Sequence, residues 1–132
     1  NLCGEIMNVS RLDSRQNSEL LQGQSIRALD GSARLLNHPK TGPQLTSSSG
    51  GLLWAPFGSA AAGKPGRLIM QNDGNLVLYD DSNTALWATN TGVPSGASSV
   101  LMIQGSHQDG TLSLSVYDYS SGTTTSTLYP SS

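Results

Sequence analysis

Two tryptophan-centred segments, LLWAP at 52–56 and ALWAT at 85–89, stand 33 residues apart, and the same offset recurs elsewhere in the chain. ARLLN at 33–37 lies over GRLIM at 66–70, and LMIQ at 101–104 lies over LIMQ at 68–71. A period of this length marks copies of one supersecondary unit, each needing its neighbours to bury its apolar face. The third copy slips: laying DGTLSL (109–114) over DGNLVL (73–78) takes about three inserted residues. It has no Trp, and Leu128-Tyr129 stands in the corresponding place.

Inside each unit, apolar and polar residues alternate between Gly, Pro, Ser and Asn breaks, the signature of strands and turns. SRQNSELLQGQSIRA (14–28) comes nearest to a helical pattern, and Gly23 interrupts it. GQSIRALDGSARLL reads better as two short strands around Leu29-Asp30-Gly31. The pattern predicts an all-β chain of three similar sheets. Residues 1–16 form an N-terminal extension and 17–132 a single domain with units at 33–58, 66–91 and 99–129. The Ser/Thr-rich stretch Ser120–Thr127 is expected to be loose.

Charged residues make up 12% of the 132-residue chain, about half the roughly 25% usual in soluble domains. A net charge of −2 with no basic stripe argues against nucleic acid. No apolar run approaches the ~20 residues of a membrane span, so no membrane insertion is expected. Cys3 is the only cysteine, which excludes an intrachain disulfide. The first residue is Asn rather than Met, so the reading expects a processed, secreted chain, with the cytoplasm as the alternative. Asn8-Val9-Ser10 is a glycosylation triplet.

Residues 71–79, QNDGNLVLY, place Gln71, Asp73, Asn75, Val77 and Tyr79 at alternate positions. Asp73-Gly74-Asn75 is a turn signal that folds the ends of the stretch together. Parity then favours an odd loop. Centred on Gly74, it would pair Gln71 with Val77, Met70 with Leu78 and Ile69 with Tyr79, leaving Leu68, Met70, Leu76 and Leu78 to face the core. The gathered polar set suits a sugar. A carboxylate accepts, the amides and the phenol both donate and accept, and Val77 offers methyls to a C–H face, with no need of metal or proton transfer. The same alternation also fits a surface hairpin with polar outer residues.

Catalytic signatures are missing. His38 and His107 lie in different units, and no Cys/His cluster has zinc spacing. No G-x-S-x-G element occurs, Asp80 and Asp81 are adjacent and point apart on a strand, and GKPGR (63–67) lacks the rest of a phosphate loop. No Glu closes a calcium loop after Asp73 and Asn75. The chain is therefore expected to be no enzyme and to carry no cofactor.

Q-x-D-x-N-x-V-x-Y resembles the mannose-binding motif of the bulb-type, or monocot mannose-binding, lectins related to snowdrop agglutinin. LWATNTG (86–92) and the threefold repeat, with a Trp in each of the first two units, are similar to that family as well. The resemblance covers roughly residues 17–129. It implies a β-prism II fold: three antiparallel four-stranded sheets with pseudo-threefold symmetry and Trp54 and Trp87 in the core. It also implies that Asp73 and Asn75 bond the axial 2-hydroxyl of mannose, Gln71 the 3-hydroxyl and Tyr79 the 4-hydroxyl, with Val77 against the ring carbons. Mannose-containing glycans or glycoproteins are the implied partners, and exchange of C-terminal strands, here 110–129, implies a homodimer. Unit one has His38, Lys40, Gly42, Gln44 and Thr46 at the motif positions, and Pro39 and Pro43 are expected to spoil its strand. Unit three aligns Asp109, Thr111, Ser113 and Ser115 and keeps only the acid. Gly74 stands where many plant members have Cys, which implies a branch outside the plant secretory lectins. A protein-binding, toxin or antimicrobial module on the same fold is the alternative function.

Overall fold

The computed structural model describes residues 10–15, 18–57, 65–92 and 98–130. Cys3 and the Asn8 triplet lie outside them. The elements, all strands, are β1 (Arg11–Asp13), β2 (Glu19–Leu20), β3 (Ser25–Arg27), β4 (Ala33–His38), β5 (Gly42–Ser47), β6 (Leu52–Trp54), β7 (Arg67–Met70), β8 (Leu76–Tyr79), β9 (Ala85–Ala88), β10 (Ser99–Gln104), β11 (Ser113–Asp118) and β12 (Thr123–Tyr129). They form three antiparallel four-stranded sheets ordered β3-β4-β5-β6, β2-β7-β8-β9 and β1-β10-β11-β12. This is the β-prism II architecture.

Each repeat supplies a three-stranded meander, and the segment from Arg11 to Arg27 lends one short strand to each sheet. Residues 11–13, counted above with the extension, are thus paired into the third sheet, with Leu12 opposite Leu101. Leu12, Ile26 and Leu20 point into the common core at 1–3% exposure, which binds this segment to all three repeats.

Alternation explains the rest of the core. Leu68, Leu76 and Leu78 are fully buried and Met70 is 1% exposed, as the odd-loop parity requires. Leu35, Leu45, Leu101, Leu114 and Val116 do the same in the other sheets. Asn37 is also fully buried. Its Nδ2 donates to the Leu20 carbonyl at 2.9 Å and the Gly66 carbonyl at 3.1 Å, stitching the first sheet to the second.

Three expectations need correction. Trp54 and Trp87 are half-buried at the rim of the core, meeting edge to face with ring centroids 5.9 Å apart. They lie on β6 and β9, the last strands of their sheets, so one side of each ring has no further strand to cover it. Pro43 sits inside β5 opposite Asn37 without breaking it. Asn37 uses its amide and carbonyl toward Gln24 and Gly23 instead, so no ladder bond is asked of the proline. Finally, Ser120–Thr127 is a turn running into β12, which pairs with β11 and carries Leu128 and Tyr129 against the core.

The third sheet is pinned at its start by a small polar cluster. Asp13 accepts from the Arg15 amide at 3.0 Å, from its guanidinium at 3.1 and 3.2 Å, and from the Tyr119 hydroxyl at 2.7 Å. The Arg15 guanidinium lies 3.8 Å over the Tyr119 ring. Burial alone would raise the Asp13 carboxyl, but the bonds from Arg15 and Tyr119 outweigh it and hold the pKa at about 2. A folded pKa below the unfolded value means that this stabilisation is complete above about pH 4 and is lost as the pH falls toward 2. Asp13→Asn is expected to cost about 1 kcal/mol at neutral pH, a figure reduced for the solvent around Arg15, and the gap to wild type should close in that acid window. Denaturant midpoints measured from pH 7 to pH 2 check it.

Candidate functional site

The β7–β8 hairpin carries all five motif residues. The register pairs Met70 with Leu76, Ile69 with Val77, Leu68 with Leu78 and Arg67 with Tyr79. The loop is odd, as expected, but its apex is Asp73 rather than Gly74, so each predicted partner moves by two residues. The Gln71 amide donates to the Asn75 carbonyl at 2.9 Å and the Gly74 amide to the Gln71 carbonyl at 3.2 Å. Gly74, at φ 96°, supplies the left-handed residue that closes such a loop. A Cβ there would also stand 2.9 Å from the Thr91 carbonyl oxygen.

Side chains hold the tip in place. Asp73 Oδ1 accepts the Asn75 amide at 2.9 Å. Thr91 donates its amide to Asn75 Oδ1 at 3.0 Å and its hydroxyl to the Gly74 carbonyl at 2.5 Å. Thr89 Oγ1 accepts the Leu76 amide at 3.0 Å and touches the Thr91 hydroxyl at 2.7 Å. The Thr91 bond fixes the Asn75 amide so that Nδ2 is left as a donor. A Cβ at position 92 would fall 2.8 Å from that Nδ2, so Gly92 keeps it uncovered. Sequence reading singled out LWATNTG without seeing this role; the paired threonines flanking Asn90 were its signal.

At the other end of the face, Gln71 Nε2 donates to the Tyr79 hydroxyl at 2.6 Å. The Arg67 guanidinium lies 5.9 Å from the centroid of the Tyr79 ring and is held by Glu19 at 3.4 Å and Asn83 at 2.5 Å. Val77 is only 6% exposed, between Ile69 and Ala88, so its methyls form a floor rather than a wall. Among the described residues, Gln71 Oε1, Asp73 Oδ2 and Asn75 Nδ2 have no hydrogen-bond partner, and Tyr79 keeps its hydroxyl proton to donate. Two acceptors and two donors around an apolar floor match the vicinal hydroxyls and C–H patches of a sugar.

The equivalent faces differ. In the first sheet Leu36 pairs with Gln44, so the 33-residue offset holds and His38, Lys40, Gly42, Gln44 and Thr46 take the motif places. In the third, Ile103 pairs with Leu114, which makes that connection five residues longer than the one from Met70 to Leu76. The alignment on Asp109 therefore shifts by two. Gln104 and Tyr117 take the places of Gln71 and Tyr79, and Ser113 and Ser115 those of Asn75 and Val77. Asp109 turns back on its own loop, accepting the Thr111 amide at 3.0 Å and hydroxyl at 2.5 Å.

No family model matches the chain, and no curated protein sequence does. Solved structures do. A monomeric monocot mannose-binding lectin from Gastrodia elata shares 26% identity over 92% of this chain and 96% of its own, with a TM-score of 0.72. The snowdrop (Galanthus nivalis) mannose-specific agglutinin, solved with methyl α-D-mannoside, shares 27% over 82% and 88%, at 0.65. Polygonatum cyrtonema lectin, solved with a monomannoside, shares 31% over 83% and 89%, at 0.66. These neighbours are sugar-binding proteins and not enzymes. With the three sheets and the threefold repeat, they show that the chain belongs to the bulb-type, or monocot mannose-binding, lectin family.

Proposed function

We propose that the chain is a metal-independent lectin that binds terminal mannose or oligomannose glycans through one site on the β7–β8 hairpin. The observation that carries this reading is the shared face of Gln71, Asp73, Asn75, Val77 and Tyr79, with hydrogen-bonding capacity left over after the hairpin has satisfied itself. By resemblance, Asp73 and Asn75 meet the axial 2-hydroxyl, Gln71 the 3-hydroxyl and Tyr79 the 4-hydroxyl. Asp73 Oδ2 as acceptor and Asn75 Nδ2 as donor suit one hydroxyl that both donates and accepts. A site built for that hydroxyl rejects an epimer that withdraws it, because its own polar groups are then stranded.

An open face of this kind binds a monosaccharide weakly; a millimolar Kd is about −4 kcal/mol. Avidity then comes from linked copies. A homodimer formed by exchanging residues 110–129 belongs to this proposal, with β12 as the exchanged edge strand. The Gastrodia elata relative is described as monomeric, which is the competing arrangement.

Calorimetric titration with methyl α-mannoside, with and without chelator, tests the reading. The expected result is about one site per chain with a Kd near 1 mM, unchanged by chelator. Folded protein that binds neither the mannoside nor oligomannose would shift the reading to a protein-binding module on a lectin fold.

A further inference from the structure

The outer face of the first sheet holds a groove of about 480 Å³ that overlaps the motif's equivalent face at His38, Gln44 and Thr46 and runs on to Arg27, Arg34 and Ser48. Its walls are cationic and polar: Arg27, Arg34, His38, Gln44 and Thr46, over Leu36. Arg27 and Arg34 are directly opposite each other on β3 and β4, and both are exposed. Like charges in that position destabilise a sheet.

The second sheet shows what a neutralised version looks like. Arg34 and Arg67 are equivalent at the 33-residue offset. Arg67 is tethered by Glu19 and Asn83, whereas Arg34 has a second arginine beside it. Among the described residues, neither Arg27 nor Arg34 has an acid within ion-pair distance. Asp30, close by in sequence, is turned toward Ser32 and Ser106. His38 Nδ1 accepts the Lys40 amide at 3.0 Å, and its Nε2 has no hydrogen-bond partner among the described residues. Gln44 Nε2 is held by Thr41 at 2.8 Å, which frees its carbonyl oxygen.

We infer that this groove binds a sugar carrying an oxyanion substituent, with the Arg27–Arg34 pair as the anion clamp and Gln44 and Thr46 as hydroxyl partners. Guanidinium forks match the paired oxygens of phosphate, sulfate and carboxylate alike. The groove's volume is of the size of small-ligand pockets. The anion part of the inference stands independently of the mannose site; the sugar part rests on the lectin reading.

The test is an amide NMR titration at constant ionic strength with inorganic phosphate, glucose 6-phosphate, glucuronate and glucose. Glucose 6-phosphate and glucuronate separate the two sources of the oxyanion. The expected result is saturable shifts at Arg27, Arg34, Gln44 and Thr46 with at least one sugar oxyanion, weaker ones with phosphate, and none with glucose. Arg34→Gln should weaken binding roughly tenfold, the size of one lost charge-assisted contact. The double variant Arg27→Gln/Arg34→Gln should lose saturation, melt no lower than wild type when unliganded, and bind methyl α-mannoside normally. Equal affinity for phosphate and the best sugar oxyanion would overturn the sugar part. Unchanged binding in the double variant, or no saturable shift at tens of millimolar, would overturn the whole.

Discussion

Asp73→Ala is expected to abolish measurable mannoside binding in a protein that still folds. Charge-assisted hydrogen bonds contribute about 1.5–3 kcal/mol each, so one such loss from a millimolar site moves Kd beyond the working range. The fold should feel much less. Asp73 is exposed, and its one internal bond is the 2.9 Å acceptance of the Asn75 amide, worth about 0.5–1 kcal/mol. Asp73→Asn separates the two roles. It keeps an oxygen for the Asn75 amide, so stability should return, while the lost charge should leave binding roughly tenfold weaker. Calorimetry and denaturant melts on the two variants read both quantities.

Leu78→Ala should cost about 3 kcal/mol, a large part of the 5–15 kcal/mol that holds a typical domain together. Leu78 is fully buried, opposite Leu68 on one side and Trp87 on the other. It lies between Val77 and Tyr79, so relaxation around the cavity would move two motif residues as well. Truncating Leu29, which is 91% exposed, should change stability by no more than about 0.5 kcal/mol. Urea midpoints for the two variants give the contrast directly.

The hairpin shows what a sequence of this kind reveals and what it hides. Leu68, Met70, Leu76 and Leu78 must share a face, so the parity of the loop is readable in the sequence. The apex is not. The Asp73 cap on the Asn75 amide and the left-handed Gly74 put the glycine at the end of the loop instead of its middle, and local composition is the same for both. The third repeat failed for a related reason. Loop 105–112 has no periodicity to anchor an alignment, and only the pairing of Ile103 with Leu114 settles it. Strands of two or three residues, such as β1 and β2, are too short to show alternation at all. The restraint that shapes the site, Thr91 on Asn75, and the one that joins two sheets, Asn37 on Leu20 and Gly66, link residues 16 to 29 positions apart and leave no local pattern. The tryptophans were located by the repeat, but their place at the rim follows from sheet order, which the repeat does not contain.

The most direct test of the central claim is an amide NMR titration with methyl α-mannoside, repeated with methyl α-glucoside. The account predicts shifts confined to residues 71–79 and 88–92, from the mannoside and not from its 2-epimer. Shifts centred on another face, or equal responses to the two sugars, would contradict it.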